Sequence, residues 1–476
     1  MEKLMRSALG LCLLAVLCTA AWAEQAAPFA GFTAVPGDHE FSGRLIARPV
    51  QVGTPGLSEE EAVARGIAAR TSMLAYQPFE YVWQTDEYVF DVPAGQTENT
   101  VAGALLSTGN FQYVHPDWIV YPIACSNDPQ LGSQWHHNAN RMNSCAGWGI
   151  HTGNPTIGVG ICDTGVYTGH EDLQLHRREG YNAVDQKWES QGGAILDING
   201  HGTQTTGCAA ANGNNAKGVV GVGWDLSHRM LRVSNSSGGG SSLFVLNHAA
   251  RTAVENGDKV ASVSYTGVDN PTNLESATYI KSKGGLLCWA AGNDNRNLTY
   301  GNRDADDIIV VGGTDSNDNK ASFSAYGPFV DLVGPAVNVY TTNRSGSYST
   351  NSGTSFACPL AAGLTALIFS ANPKLTPNQV EKTLKTGCDD LGTPGVDNIF
   401  GYGRIEVLGS LSRVPGDMNC DGKVDNFDID PFVLALTDPN AYQIKYPNCN
   451  YTNADINGDG KVDNFDIDPF VQMLTS

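Results

Sequence analysis

Between residues 125 and 410, short and mostly apolar runs alternate with longer stretches of helical periodicity, and no other feature of the chain narrows its fold as far. The runs fall at 157–161, 230–233, 260–263, 286–290 and 308–311, and 242–256 is a representative helical stretch. Runs of four or five residues without in-and-out alternation suit strands that are covered on both faces. Strands of that kind separated by helices make βαβ units, so the sequence predicts an α/β domain with a buried parallel sheet flanked by helices. Sites in such open sheets gather at the carboxyl ends of the strands. Here the runs end in Gly- and Asp-rich turns.

The flanks differ. Residues 44–50 read as a strand and 58–70 as a helix opened by Ser58, Glu60 and Glu61. Residues 80–92 alternate around a turn at Asp86-Glu87, 97–106 read as a second helix, and 111–120 as a last strand that Pro116 puts at a sheet edge. Strand, helix, two strands, helix and strand is the ferredoxin-like α+β order. At the start of the chain, Lys3 and Arg6 precede an apolar run at 8–17, and Ala21-Trp22-Ala23 has the small-x-small form of a cleavage site. The run is too short to span a bilayer. Cys12 and Cys18 each follow a leucine, which argues against lipid attachment. Export with loss of residues 1–23 is expected, and no later segment reads as a membrane span.

The chain has 476 residues, 41% hydrophobic and 16% charged, enough for a large core and several domains. A net charge of −20 argues against nucleic acid and anionic membranes and suits divalent cations. Of eleven cysteines two lie in the leader, and the nine that remain leave at least one free thiol. Cys162, Cys208 and Cys288 stand among apolar or small residues, as buried thiols do. Cys125 with Cys145 and Cys420 with Cys449 are candidate pairs by proximity alone.

Three short motifs carry chemistry. Residues 157–173 read IGVGICDTGVYTGHEDL, so that a buried strand delivers Asp163 with Gly165 in the turn. Residues 199–207 read NGHGTQTTG, with His201 between two glycines that let backbone and ligand come close. Residues 351–363 read NSGTSFACPLAAG; Ser355 opens a helical run, with Pro359 expected in its first turn. Alone, each is unspecific. Together they supply the hydroxyl nucleophile, imidazole base and orienting carboxylate of acyl transfer, in the order Asp, His, Ser.

In that order the chain resembles the subtilisin-like serine peptidases. The resemblance covers about 127–408 and includes NDPQLGSQWHHN at 127–138, GVVGVGWD at 218–225, WAAGNDNRN at 289–297 and VVGGTDSNDNKASFSAYG at 310–327. It implies a secreted serine endopeptidase acting on proteins or peptides, with catalytic residues Asp163, His201 and Ser355. Asn293 and the Ser355 amide would be the oxyanion donors. Phe356, Cys358 and Leu360 depart from the family's usual nucleophile block. Thr266, in VASVSYTG at 260–267, stands where a glycine is common, on a strand expected to line the cleft with 289–292. Asp304, Asp306 and Asp307 are candidates for favouring basic side chains there, or for a plain solvated loop. Residues 24–124 resemble the family's propeptides, YVHPDWIV at 113–120 most closely, with cleavage expected within 120–128. Asp128 and Asp172 match positions that often supply calcium ligands in the family, although surface solvation explains them equally well. His136-His137 is not expected to hold a metal, since neighbours on an extended chain point apart.

The last sixty residues repeat themselves. DGKVDNFDIDPFV occurs at 421–433 and again at 459–471, in a tail (416–476) with eleven Asp and three Lys, a net charge of −8. Counted from Asp417, loop positions 1, 3, 5, 7, 9 and 12 are Asp417, Asn419, Asp421, Lys423, Asp425 and Asp428, with Gly422 at 6. From Asp455 they are Asp455, Asn457, Asp459, Lys461, Asp463 and Asp466. Each lysine would offer its carbonyl. This is the D-x-[DN]-x-[DN]-G calcium loop with Asp in the final place, so two Ca²⁺ are expected here, while a further ion in the peptidase domain stays open. A helix is expected after each loop, at 429–436 and 467–474. Such pairs resemble dockerin domains, which implies a small α-helical calcium-binding module and a cohesin-type scaffold partner. Calcium stabilisation of the chain's own end is the other reading. The expected order is leader 1–23, propeptide 24–124, peptidase 125–412 and dockerin-like tail 413–476, in a protein outside the cell. An idle subtilisin fold displayed through the tail is the rival function; a lipase would need another order and a G-x-S-x-G elbow.

Overall fold

The computed structural model describes residues 29, 31–34, 39–120, 125–421, 423–446, 449–458 and 460–475. The expected leader and residues 121–124 of the expected cleavage segment lie outside them. The chain forms two compact units, one of residues up to 33 with 43–117 and one of 34–42 with 118 to the end.

In the first unit, strands β1 (Arg44–Pro49), β2 (Phe79–Val82), β3 (Glu87–Asp91) and β4 (Phe111–Pro116) form an antiparallel sheet in the order β2-β3-β1-β4. Helices α1 (Glu59–Met73) and α2 (Glu98–Ser107) provide the connections. Their start signals work as expected: Ser58 and Glu61 form a reciprocal capping box, and the Thr97 hydroxyl accepts the Thr100 amide. Pro116 ends the edge strand β4, where a missing N–H costs no ladder bond. Leu45, Phe90, Val101, Leu105 and Val114 fill the core between sheet and helices.

The second unit is built on a sheet of eight strands. Its parallel centre runs β10 (Leu332–Pro335), β9 (Ile308–Thr314), β8 (Leu286–Ala290), β7 (Val260–Val263), β5 (Gly158–Asp163) and β6 (Ser227–Arg232). Every residue of these six strands is buried, the burial expected of runs without alternation. Among their polar residues, Arg232 and Ser262 are tolerated because they are bonded: Arg232 Nε donates to Ser234 O, and Ser262 Oγ contacts Cys358 Sγ. Helices α3 (His201–Ala210), α4 (Leu243–Glu255), α5 (Pro271–Ser282), α6 (Thr354–Ala371) and α7 (Pro377–Thr386) pack around the sheet.

By length and composition α6 could cross a membrane, contrary to the expectation from sequence that no later segment would read that way. Nearly all its residues are buried in the core, and that environment explains a helix apolar on every side. Pro359 is also not in the first turn. It is the sixth residue of α6 and lacks the N–H that would bond the Ser355 carbonyl; the Ser264 hydroxyl donates to that carbonyl instead, at 2.9 Å.

The tail belongs to the same unit. Helices α8 (Ile429–Thr437) and α10 (Ile467–Thr475) follow the two loops, and α9 (Pro439–Lys445) fills the spacer between the copies. Phe432 and Phe470, equivalent residues of the repeat, stack at 4.0 Å between ring centroids. Tyr442 and Met473 join the apolar cluster that also holds Val380 and Leu384 of α7. Cysteines 125 and 145 are bridged, as are 420 and 449, and the buried thiols Cys162, Cys208 and Cys288 are free, as is Cys358.

Candidate active site

Asp163 ends β5, and His201 opens α3 thirty-eight residues later. Two glycines allow the two to meet. A Cβ on Gly202 would lie 2.2 Å from the Gly165 carbonyl, and Gly165 itself has φ +130°, a backbone other residues rarely adopt. His201 Nδ1 donates to the Asp163 carboxylate at 2.8 and 3.0 Å from its two oxygens. That carboxylate also accepts the Thr164 amide at 2.7 Å and the Thr205 hydroxyl at 3.0 Å. The imidazole is therefore held as the Nδ1–H tautomer with Nε2 turned to the cavity. Burial opposes a charged imidazole most strongly, but the charge and hydrogen bond of Asp163, with the charge of Asp197, outweigh it and raise the His201 pKa above its usual value.

Ser355 stands in the first turn of α6, where amides have no partner inside the helix. Its hydroxyl donates to Ser264 O at 3.3 Å. Asn293 follows β8, and its side-chain oxygen accepts both the amide and the hydroxyl of Thr354, at 2.9 and 3.0 Å. With that oxygen committed, the Nδ2 group is the end left to donate. His201, Ser355 and Asn293 line one cavity of about 250 Å³ with Thr164, Ser264 and Gly292, and Asp163 lies behind His201. The cavity sits at the carboxyl ends of β5, β7 and β8.

Several residues around it are not evident from motifs. Asp197 holds the approach to His201: one oxygen accepts the amides of Asn199 and Gly200 and the Thr164 hydroxyl, the other the amide and hydroxyl of Thr203. Tyr265 lies with its ring 6.5 Å from that of His201 and donates its hydroxyl to Gly239 O across the cavity at 2.8 Å. Phe356, the aromatic departure in the nucleophile block, is buried with its ring 5.8 Å from His201. The run of three glycines at 238–240 and the stretch VASVSYTG at 260–267 were the hints of this wall.

Three expectations need correction, and one open choice is narrowed. Trp289 does not bound the cleft; it is buried below it and donates Nε1–H to Tyr265 O at 2.7 Å, while Ala290 and Gly292 line the cavity. Asp304, Asp306 and Asp307 do not line the cavity, which leaves the plain loop of their two readings: Asp304 accepts the Tyr402 hydroxyl, Asp306 the amides of Asn302 and Ile308, and Asp307 pairs with Lys281 and Thr278. His136 and His137 lie in a 3-10 turn, not an extended chain, with rings 4.4 Å apart. Burial pushes His137 down to about 3, and it bonds Ser144 Oγ and Val220 O. Asp128 and Asp172 are buried, so surface solvation does not explain them. Both grip one loop: Asp128 accepts the Asn214 amide at 2.6 Å, and Asp172 accepts the Val219 amide at 2.9 Å and the Asn215 side-chain amide at 3.1 Å.

The repeated loops bring their carboxylates inward. Asp417, Asp428, Asp455 and Asp466, the first and last positions of the two loops, are all buried. Asp428 accepts the amides of Met418, Asn419 and Asp425, and Asp466 those of Asn457 and Asp463. Asp425 and Asp463 also cap the turn that leads into each helix. Hard anionic oxygens clustered on a tight turn are a donor set that fits Ca²⁺. No group of three metal-ligating side chains is closed among the described residues, which exclude Asp459.

A parallel α/β sheet with a hydroxyl, an imidazole–carboxylate pair and an amide donor around one cavity at its carboxyl edge defines a class, the serine hydrolases with a subtilisin-like sheet. The subtilase family model matches residues 154–403. A thermophilic serine proteinase of Bacillus sp. (strain AK1) is 31% identical over 313 residues, 66% of this chain and 75% of the relative. Thermitase of Thermoactinomyces vulgaris is 35% identical over 282 residues, 59% of this chain and 97% of the relative. Among solved structures, a protease of Pseudoalteromonas arctica matches with a TM-score of 0.52 and 25% identity, covering 60% of this chain and 98% of its own. The chain belongs to the subtilase family and is a serine endopeptidase.

Proposed function

We propose that Asp163, His201 and Ser355 are the catalytic triad of a secreted endopeptidase, and that Asn293 and the Ser355 amide receive the oxyanion. The observation that carries this is the His201–Asp163 hydrogen bond, with His201 lining one cavity together with Ser355 and Asn293. Ser355 Oγ turns from Ser264 O towards His201 Nε2 and attacks the peptide carbonyl as its proton passes to the imidazole. Asp163 steadies the imidazolium, which then protonates the leaving amine. Water repeats the sequence and frees the acyl group. The idle binding-protein reading is the weaker one, because all four positions carry the residue types the chemistry needs.

Since the base works only when neutral, the raised His201 pKa has a visible consequence. Its neutral fraction falls as pH drops through the folded-state value, so kcat/KM should fall on the acid side with an inflection above 6.5. A pH–rate profile with a soluble peptide ester checks this; an inflection below 6.5 overturns the reading of Asp163.

Residues 24–124 serve in this proposal as a propeptide removed by the enzyme itself. The tail loops would hold calcium through Asp417, Asn419, Asp421, Asp425, Asp428 and the Lys423 carbonyl, and through their counterparts from Asp455 to Asp466. Calcium there would neutralise the buried carboxylates. Asp128 and Asp172 are the residues for a third ion. Phe427, Ile429 and Val433 are exposed in one copy and Phe465, Ile467 and Val471 in the other, and Phe427 and Phe465 are 76% and 77% exposed. Twin apolar faces of this kind support a cohesin-type partner.

The test is maturation. Residues 24–476 and a Ser355→Ala copy, incubated with calcium, are followed by intact mass. Only the first should shed a fragment of about a hundred residues, the span expected from the resemblance. If both stay whole and neither cleaves casein, the triad assignment fails.

A further inference from the structure

The tail sits on α7 and the turn before it. Asn372 Nδ2 donates to Pro415 O at 3.2 Å, and Lys374 Nζ bonds the Met473 carbonyl. On α7, Gln379 Nε2 donates to Ile456 O at 2.8 Å. One turn further on, Lys382 Nζ lies 2.8 Å from Asp455 Oδ2. The Asp455 side chain is 3% exposed, whereas that of Lys382 is 47% exposed and reaches in from solvent. Asp455 also accepts the amides of Gly458 and Gly460, at 2.9 and 3.0 Å.

Asp455 is the first position of the second repeated loop. A peptidase ammonium thus holds a carboxylate that this loop would offer to a divalent cation. An ammonium and a divalent cation drawing on one carboxylate would repel. A single and a double positive charge within a few ångströms do so enough, even in water, to weaken binding by about tenfold or more. The lysine's exposed stem lets it swing aside, so the competition reduces affinity without abolishing it.

We infer that Lys382 is a functional part of the second calcium loop, a competitor supplied by the peptidase that raises the calcium concentration at which this loop fills. The inference rests on the calcium reading of the tail. It gives the two loops different calcium ranges although their thirteen-residue cores are identical. It also makes filling of the second loop sensitive to whether the tail is seated on α7.

Calorimetric titration of calcium into residues 24–476 carrying Ser355→Ala, at low ionic strength, tests it. Lys382→Met should tighten one site about fivefold to tenfold and leave the others within about twofold. The tightened site should be the one that Asp466→Asn removes. Lys382→Arg, which keeps the charge, should stay within about twofold of the parent, and added salt should shrink the difference. If Lys382→Met leaves every affinity unchanged, or weakens one, Lys382 is only a surface anchor and the inference is wrong. If neither Asp428→Asn nor Asp466→Asn lowers the number of calcium ions bound, the loops do not bind calcium, and the calcium reading falls together with the inference.

Discussion

Replacing Ser355 by alanine is expected to lower kcat/KM on a peptide substrate by about 10⁶, a figure carried over from removal of the nucleophile in another enzyme of the family. The substitution removes the oxygen proposed to attack, and Ser264, the neighbouring hydroxyl, is already donating to the Ser355 carbonyl that Pro359 leaves unpaired. Little else should change. The hydroxyl makes one long hydrogen bond, to Ser264 O at 3.3 Å, and the amide of residue 355 stays in place at the helix start. The melting temperature should therefore shift by no more than a degree or two, since losing one such bond costs about 1 kcal/mol or less. Activity and stability measured on the same preparation separate the outcomes. A rate loss below about a hundredfold would mean that another group attacks, and a large fall in stability would mean that the hydroxyl is structural.

Asp163→Asn is expected to cost about 10⁴ in kcat, with substrate binding little changed. The present carboxylate accepts from three donors, the Thr164 amide, the Thr205 hydroxyl and His201 Nδ1. An asparagine offers one oxygen and one NH₂. The Thr164 amide cannot become an acceptor, so the oxygen keeps the Oδ1 place, 2.8 Å from His201 Nδ1, and the NH₂ takes the Oδ2 place beside Thr205 and 3.0 Å from His201. The Thr205 hydroxyl can rotate to accept. That NH₂ presses a donor on Nδ1, and an imidazole that accepts from it carries its proton on Nε2, faces Ser355 as a donor and cannot take the nucleophile's proton. The loss should thus lie in kcat and should ease at high pH, where hydroxide competes. Equal losses in kcat and substrate affinity would instead place Asp163 in substrate binding.

How far these residues were legible follows from how local their signals are. Asp163, His201 and Ser355 each lie inside a stretch whose backbone demands are written nearby: a buried run, flanking glycines, or a Gly-Thr before a helix. The two helices after the tail loops were readable for the same reason, since loop residues and helix caps are sequence neighbours. Asp197, and the bond that ties Tyr265 over the cavity, escaped notice because their partners, Thr164 and Gly239, are brought to them by the sheet and not by the chain. Trp289 was misplaced because a strand of a doubly covered sheet has no outward face from which to tell cleft from core.

The sequence alone determined the α/β class, the order of the acidic, basic and nucleophilic residues, and the duplicated loops, since each depends on periodicity or on contacts within a few residues. The tertiary structure decided which groups meet across long separations. It buried Asp128 and Asp172 against one loop, tied Tyr265 over the cavity, and set Lys382 on Asp455, seventy-three residues away. Contacts of that kind arise from packing whole elements against one another, and no local propensity encodes them.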